Sequence, residues 1–589
     1  MTRELSTAQM ATTTAVADRA GPRTADARAR AARLEALLGD PYDPANPHGL
    51  PALLAADERA VPPEATEELL TGAGLTAEFV PAEAGGALHR ADLLAQVLRP
   101  VFRRDAALGM GFGLTSLFAA SAVWAAGTGT QRARLAGELL AGGRCAIVFH
   151  ELAHANAFTR GELSAAGGPG GRGYLLNGRK DVIINAESAH SLVAYARTDP
   201  ARGPRGHTAL LLDPGRFAPG TVHRLPRPGL PGMRGTRLGG LRFTDCPVPE
   251  NALVGRHGEG VPLALRTHQV NRALICGTVT AAAGTVLHSA VRAAAAGGAR
   301  YASLAGVFAD LLVCDATARA ALRAVSLLPD RAHLLAAATK YVVPGMLREA
   351  VEELATVLGT HAHRRADPRY GAFAKLVRDL PAVGLGHAGT ASCRSVIVPQ
   401  LRALADRSWF VDQEPPPDLF RAGAELPDLD YRLLAFAGGG DPMAASLVAS
   451  AARLSAVRGA GGPLARLAAL AEAFVTELRR LREECRRLPA PGAGPLTGPA
   501  VCALCDRYCL IVAGAAVLGT WEGQDGRDAF LADPGWAVLA LARLGVRLGI
   551  AVPEESDGRP AGSAVVLDQL VARSRAGVSY DLEAVRLEG

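Results

Sequence analysis

A block of β signal over residues 144–256, set between two long helical stretches, constrains this chain more than any other feature. Ahead of the block, segments such as Asp92–Leu98 and Gln131–Leu140 place apolar residues three and four apart, the spacing of one helix face. Pro and Gly punctuate them at Val61-Pro62-Pro63 and Gly85-Gly86. At Arg144 the texture changes. Cys145–Phe149 is an apolar run of strand length, and Tyr174–Ile184 predicts two strands around Asn177-Gly178, a favoured hairpin turn. Leu192–Arg197, Thr208–Leu212 and Gly240–Phe243 continue the β signal, and alanine-rich helical periodicity returns from Gly260 to Ala405. Pro415-Pro416-Pro417 cannot continue a helix and predicts a stiff linker over 412–428. A further helical region, 429–589, includes the amphipathic stretch Leu464–Leu481. Residues 1–35 are Ala/Thr/Arg-rich without firm apolar period and are expected to be mobile. The expected fold is α+β, mainly α: a helical domain at 36–143, a β-domain at 144–256, a helical bundle at 257–411 and the extra helical domain.

A chain of 589 residues exceeds what one core usually serves. The net charge of +6 is spread along the length, with no basic tail and no aromatic-basic interleaving, which argues against a nucleic-acid partner. Nine cysteines in so long a chain do not make a disulfide framework and read as thiols in a reducing compartment. The N-terminus lacks the apolar core of a signal peptide, and the stretch Leu114 to Ala126 is too short to span a bilayer. A cytoplasmic protein with no membrane span is expected.

Local motifs add a resemblance. Leu176-Asn177-Gly178-Arg179-Lys180-Asp181-Val182-Ile183-Ile184-Asn185-Ala186 resembles the "LNGxKxWITNA" of the acyl-CoA dehydrogenase family. Arg197-Thr198-Asp199 resembles its "ART" segment, and Met233-Arg234-Gly235-Thr236 its "GMRGS" turn. Leu241 to Gly255 is similar to "LxFxDVxVPxENLLG". Arg272, Gly277, Lys340, Leu358-Gly359 and Arg378-Asp379 fit the helices that follow. The order and spacing of these pieces extend over roughly 300 residues, which makes the pattern specific. The resemblance implies an N-terminal helical domain, a β-domain and a four-helix bundle. It also implies FAD between the last two, an acyl thioester substrate on CoA or a carrier protein, and a homodimer or homotetramer. An electron-transfer partner or oxygen would then take up the electrons.

Departures from the family pattern fall on the chemistry. The flavin strand "TEPxAGSD" is His150-Glu151-Leu152-Ala153-His154-Ala155-Asn156-Ala157 here. His150 replaces a threonine that in the family contacts flavin, and Asn156 stands at the serine. Val182 replaces Trp, and Ile184 replaces a Thr whose hydrogen bond an all-carbon side chain cannot supply. The pyrophosphate motif "RxxFG" survives as Arg292 with Gly297-Gly298. The cofactor-binding residues implied are Phe149, His150, Asn156, Val182, Ile183, Ile184, Arg292, Gly359 and Thr390. The family's base, the Glu of "EGT", is replaced in Gly386-His387-Ala388-Gly389-Thr390 by Ala388, and the alternative base position, beside Arg272, is Asn271. Candidate replacements are His387, whose imidazole titrates near neutral pH, and Glu151, with His154 behind them. Three readings stay open: dehydrogenation with a relocated base, flavin-dependent oxidase or monooxygenase chemistry that needs no such Glu, and a non-catalytic thioester-binding scaffold.

Other clusters read more plainly. Cys502, Cys505 and Cys509 lie at helical spacing without a second ligand pair, so no metal is expected. Gly167 to Gly171 reads as a hairpin tip, and Arg224, Arg227, His361 and His363 with Arg364 and Arg365 as solvated loops.

Overall fold

A computed structural model describes residues 21–589, apart from 155–156, 169–171, 201–202, 204, 298–300, 386–388, 457–460, 490–497, 525, 553 and 555–557. The N-terminal helices are α1 (Pro22–Leu38), α2 (Leu50–Arg59), α3 (Glu64–Gly72), α4 (Ala91–Arg104), the helical run α5 (Ala106–Ala126) and α6 (Gly129–Leu140). Strands follow: β1 (Cys145–Val148), β2 (Ser164–Gly167), β3 (Tyr174–Ile184), β4 (Ser191–Arg197), β5 (His207–Leu212), β6 (Val222–Leu225), β7 (Leu238–Val248) and β8 (Leu253–Val254). Then come α7 (Gly260–Gly297), α8 (Tyr301–Leu327), α9 (Ala332–Leu358), α10 (Pro368–Leu385) and α11 (Thr390–Arg407). The C-terminal helices are α12 (Pro442–Ala456), α13 (Gly462–Arg486), α14 (Pro499–Glu522), α15 (Ala529–Ala532), α16 (Pro534–Leu548) and α17 (Ser563–Ala576).

The strands form an eight-stranded sheet ordered β6-β7-β3-β2-β4-β5-β8, with β1 parallel on β4. It keeps its own core, including Leu176, Ile183, Leu210 and Phe243. The other face of β1 and β4, through Ile147, Phe149, Val193 and Tyr195, joins the large helical core, so period-two alternation ties one strand pair to both layers. Helices α7, α8 and α9 pack on one another, with α11 against α9 and α10 against α7 and α9. The C-terminal helices cover this bundle: α14 lies on α8 and α9, α16 and α17 on α8, and α13 on α11.

Four expectations are corrected. The Asn177-Gly178 pair is no hairpin turn, because β3 runs on through it as a single strand with an irregular register against β7. Asn177 Nδ2 donates to Asp245 Oδ1 (2.9 Å) and its Oδ1 accepts from Asp245 N (2.9 Å), while Gly178 at φ 125° absorbs the bulge. The second half of the N-terminal tail is ordered: α1 buries Ala27, Leu34 and Leu38 and bonds Arg30 Nε to Glu78 at 2.6 Å. The proline-rich segment is no free spacer, since Leu419 is fully buried and Arg323 donates to the Leu419 and Asp418 carbonyls. The apolar stretch at Leu114 belongs to a 21-residue run, Ala106–Ala126. By length and composition this run, Gly260–Ala295 and Pro499–Glu522 are each sufficient to cross a membrane; they bury 100%, 89% and 67% of their most apolar window inside the protein.

Candidate functional site between the β-domain and helix α7

The end of β1 meets the first turns of α7. Phe149 follows β1 directly, and its ring makes edge contacts with Tyr195 of β4 (5.4 Å), His268 of α7 (5.4 Å) and His150 (5.1 Å). His150 bridges to Val182 of β3. Ile183 points into the sheet core, so alternation sets Val182 and Ile184 on the opposite face. Three candidate cofactor residues, His150, Val182 and Ile184, thereby share one surface beside Phe149. Alongside, the glycine-rich turn Gly109–Leu114 widens α5 into a π-helix, a feature frequent at functional sites. Asn185 Nδ2 donates to the Gly111 carbonyl at 2.8 Å, and a side chain at Gly111 would press on Thr236.

Glu151 lies at the rim but is committed elsewhere. Its carboxylate sits 2.7 Å from Lys180 Nζ and accepts from the backbone N–H groups of Glu162 (2.8 and 2.9 Å) and Leu163 (3.1 Å). Lys180 also donates to the Phe149 carbonyl at 3.0 Å. Burial pushes the Glu151 carboxyl up, but Lys180 and the two N–H groups outweigh it and hold the carboxyl below its usual range. A carboxylate so held is a strut between β1, β2 and β3; geometry and acidity both argue against Glu151 as a proton acceptor. His154, its neighbour, bonds Glu162 at 3.0 Å on the rim.

Deeper in, the site is cationic. Arg272 is 1% exposed, and its Nη2 donates to Ser392 Oγ at 3.1 Å, while among the described residues Nε and Nη1 have no hydrogen-bond partner. Asn271, also 1% exposed, has neither amide atom bonded among the described residues. Lys340, 2% exposed, donates to the Val383 carbonyl. Among the described residues the partners of Arg272 and Lys340 are thus a hydroxyl and a carbonyl rather than carboxylates, and burial lowers the Lys340 pKa. The histidines respond to this environment. Burial, then Arg272, His150 and Lys340, push His268 down to about 3; burial and Lys180 push His150 down to about 4. Both are neutral imidazoles at neutral pH, poor proton acceptors that bring no further positive charge.

Thr390 opens α11 above this cluster, its hydroxyl donating to the Gly384 carbonyl at 3.3 Å, with Ser392 two residues on. His387, Ala388 and Asn156 lie outside the described residues. Arg292 and Gly359 are not brought to the cleft. Arg292 lies twenty residues beyond Arg272 on the same helix, roughly 30 Å away at 1.5 Å per residue. There its guanidinium covers the Tyr42 ring at 5.1 Å. Gly359 (φ 54°) ends α9 and leads into His361, which stacks on Tyr370 at 4.7 Å beneath Arg364 and Arg369. The loop grouped as solvated from sequence is exposed over 363–366, and with Tyr42 its residues 363–369 border a hollow. Sequence reasoning passed over His268, Lys180 and Tyr195. His268 carries a signal in hindsight: it stands one helical turn before Arg272, on the same face.

Comparison with known proteins gives the class. The chain is 27% identical over 249 residues to the human short-chain specific acyl-CoA dehydrogenase, mitochondrial, covering 41% of this chain and 58% of that protein. It spans about a fifth to three fifths of the length of the curated relatives it matches first. No family model matches. Among solved structures, butyryl-CoA dehydrogenase from Megasphaera elsdenii superposes with a TM-score of 0.55 at 18% identity, covering 63% of this chain and 96% of that one. An acyl-CoA dehydrogenase complexed with FAD from Bacillus anthracis covers 96% of this chain and 97% of its own, with a TM-score of 0.64 at 15% identity. The fold is that of the acyl-CoA dehydrogenases. The superposition on the Bacillus structure extends over the C-terminal helices as well, since it covers 96% of this chain.

Proposed function

We propose that the chain is an FAD-dependent oxidoreductase of acyl-CoA dehydrogenase type, acting on an acyl thioester carried by CoA or a carrier protein. The observation that carries this reading is the set of orphaned polar atoms on Asn271 and Arg272, buried where the β-domain meets α7. Burying such groups without partners costs about 1–3 kcal/mol each, so a polar ligand is the natural complement. The residues fit a flavin on one side: Phe149, His150, Val182 and Ile184 offer a mostly apolar wall, with backbone rather than Ile184 left to bond the ring edge. A bound flavin would supply a two-electron acceptor for the hydride leaving the substrate. Asn271 Nδ2 and Arg272 would donate to the thioester oxygen, and the positive charge of Arg272 and Lys340 would stabilise negative charge developing there. The proton leaving the α-carbon is assigned to His387, beside the Ala388 position. Arg292 and the Gly359–Arg369 region stand too far along the molecule to meet the same cofactor, which supports a homodimer or homotetramer in which a second copy completes each site. We also place the protein in the cytoplasm, in keeping with nine cysteines that form no disulfide.

The test is direct. Purified protein should show a flavin absorption band that an acyl-CoA panel bleaches anaerobically, and Arg272→Met should abolish the bleaching. Colourless protein that fails to retain added FAD would overturn the reading. One observation favours a second chemistry: Glu151, the carboxylate candidate at the cleft, is committed to Lys180. Oxygen uptake with an external flavin reductant, without acyl-CoA bleaching, would select an oxidase or monooxygenase.

A further inference from the structure

We infer that the C-terminal helices take part in the chemistry: Asp506 of α14 sets the position of Arg272 through Tyr341, Arg394 and Ser392. The inference rests on the proposed role of Arg272 as the cation that faces the thioester oxygen.

The start of α11 is weakly fixed by its own sequence. Gly389 caps it without a side chain, and the Thr390 hydroxyl donates to the Gly384 carbonyl at 3.3 Å. Its placement therefore depends on neighbouring helices, and it meets them on two sides. Each helical residue turns the chain by about 100°, so Ser392 and Arg394 point in nearly opposite directions. Ser392 Oγ accepts from Arg272 Nη2 of α7 at 3.1 Å. Arg394 donates through Nε (2.9 Å) and Nη2 (2.6 Å) to the hydroxyl of Tyr341 on α9. That hydroxyl donates in turn to Asp506 Oδ1 of α14. The phenol oxygen thus gives its one proton to Asp506 and both lone pairs to Arg394, which joins three helices at a single saturated atom. Tyr341 directly follows the buried Lys340. Consecutive residues of α9 therefore face the cationic site and the C-terminal helices. A turn of the α11 start about its own axis would carry Ser392, and with it the guanidinium, out of place. A misplacement of about 1 Å can cost about a hundredfold in rate. The other end of α11 is tied separately to α13 and the residues after it, by Arg402 on the Leu488 carbonyl (2.8 Å) and Arg482 on the Ala405 carbonyl (2.9 Å). Ala405 lies about 20 Å along the helix from Ser392, so it serves as an internal control.

Tyr341→Phe keeps the ring and removes all three hydrogen bonds. It should lower kcat about tenfold with KM and flavin content unchanged, and speed amide hydrogen exchange over residues 390–396. Ser392→Ala should lower kcat at least as far. Because the two act in series, the double variant should fall no further than Ser392→Ala alone. Arg482→Met frees the far end of α11 and should leave kcat within about twofold of the parent. If Tyr341→Phe does not fold, Asp506→Asn takes its place in every measurement. Three results would overturn the inference: parental kcat and exchange in Tyr341→Phe, losses that multiply in the double variant, or an equal loss of kcat in Arg482→Met. Should the parent's flavin be bleached by no acyl-CoA, it is the proposed function that fails. The exchange measurement needs no turnover and still decides whether Asp506 holds α11, with parental protection in the variant counting against it.

Discussion

Arg103 and Arg272 are both almost wholly buried arginines of helical segments, and their surroundings are opposite. Arg103 has a carboxylate on either hand, Glu35 and Asp581, and its neighbour Arg99 is likewise clasped by Asp315 and Asp581. Burial pushes the Asp581 carboxyl up, but Arg99 and Arg103 override it and hold it down at about 2. Arg272 has one hydroxyl, and Lys340 one carbonyl. The first group is a structural joint between the N-terminal helices and the chain's C-terminal end, its charges neutralised within the fold. The second is a charged site that the fold leaves open. A buried cation informs on function only once its partners are counted.

The comparison can be broken by experiment. Removing one member of a neutralised group strands the others, so Arg103→Met should cost about 3–5 kcal/mol in denaturant unfolding. Glu151→Ala, which strands Lys180, should cost about as much; a large loss of turnover at unchanged stability would instead make Glu151 a proton acceptor. Arg272→Met strands nothing, so its stability should stay within about 1 kcal/mol of the parent while kcat/KM falls by about a hundredfold or more. If Arg272→Met unfolds the protein, the cluster is structural and the contrast fails. The cationic cleft also sets a pH dependence. His150 and His268 stay neutral in the fold at about 4 and 3, but titrate near 6.5 when unfolded. The unfolded chain therefore takes up protons first, and stability present above about pH 6.5 is lost as pH falls toward 4. The slope should approach about 1.4 kcal/mol per pH unit for each histidine, read from Tm or denaturant midpoints. The smallest effect belongs to Gly178→Ala, where φ is 125° and the added carbon would stand 2.9 Å from Leu163 Cα; a loss of about 1–3 kcal/mol is expected.

What the sequence disclosed depended on range. The change of texture at Arg144 and the return of helix at Gly260 are local patterns, and the strands and α7 begin within a few residues of them. Asn177-Gly178 misled because the same two residues suit a tight turn or a bulge. The choice is made by Asp245, sixty-eight residues away, whose backbone N–H and side chain clasp Asn177. The ordering of α1 and of the proline-rich segment was hidden for the same reason, since each is fixed by contacts to distant helices. At the cleft, motif spacing pointed to His150, Val182 and Ile184, which the fold gathers beside Phe149. Spacing carried no information that Glu151 would be captured by Lys180. Nor did it reveal that Arg272 would be buried without an acid.

The helices beyond the proline-rich segment have one more consequence. They lie against α8, α9 and α11, anchored by Arg543 on Asp310 (2.6 Å) and by Arg547 on Asp310 (3.0 Å) and Glu349 (2.6 Å). That flank is therefore occupied from within the same polypeptide, so any quaternary assembly has to dock elsewhere, and deleting the terminal quarter would expose a greasy surface prone to self-association.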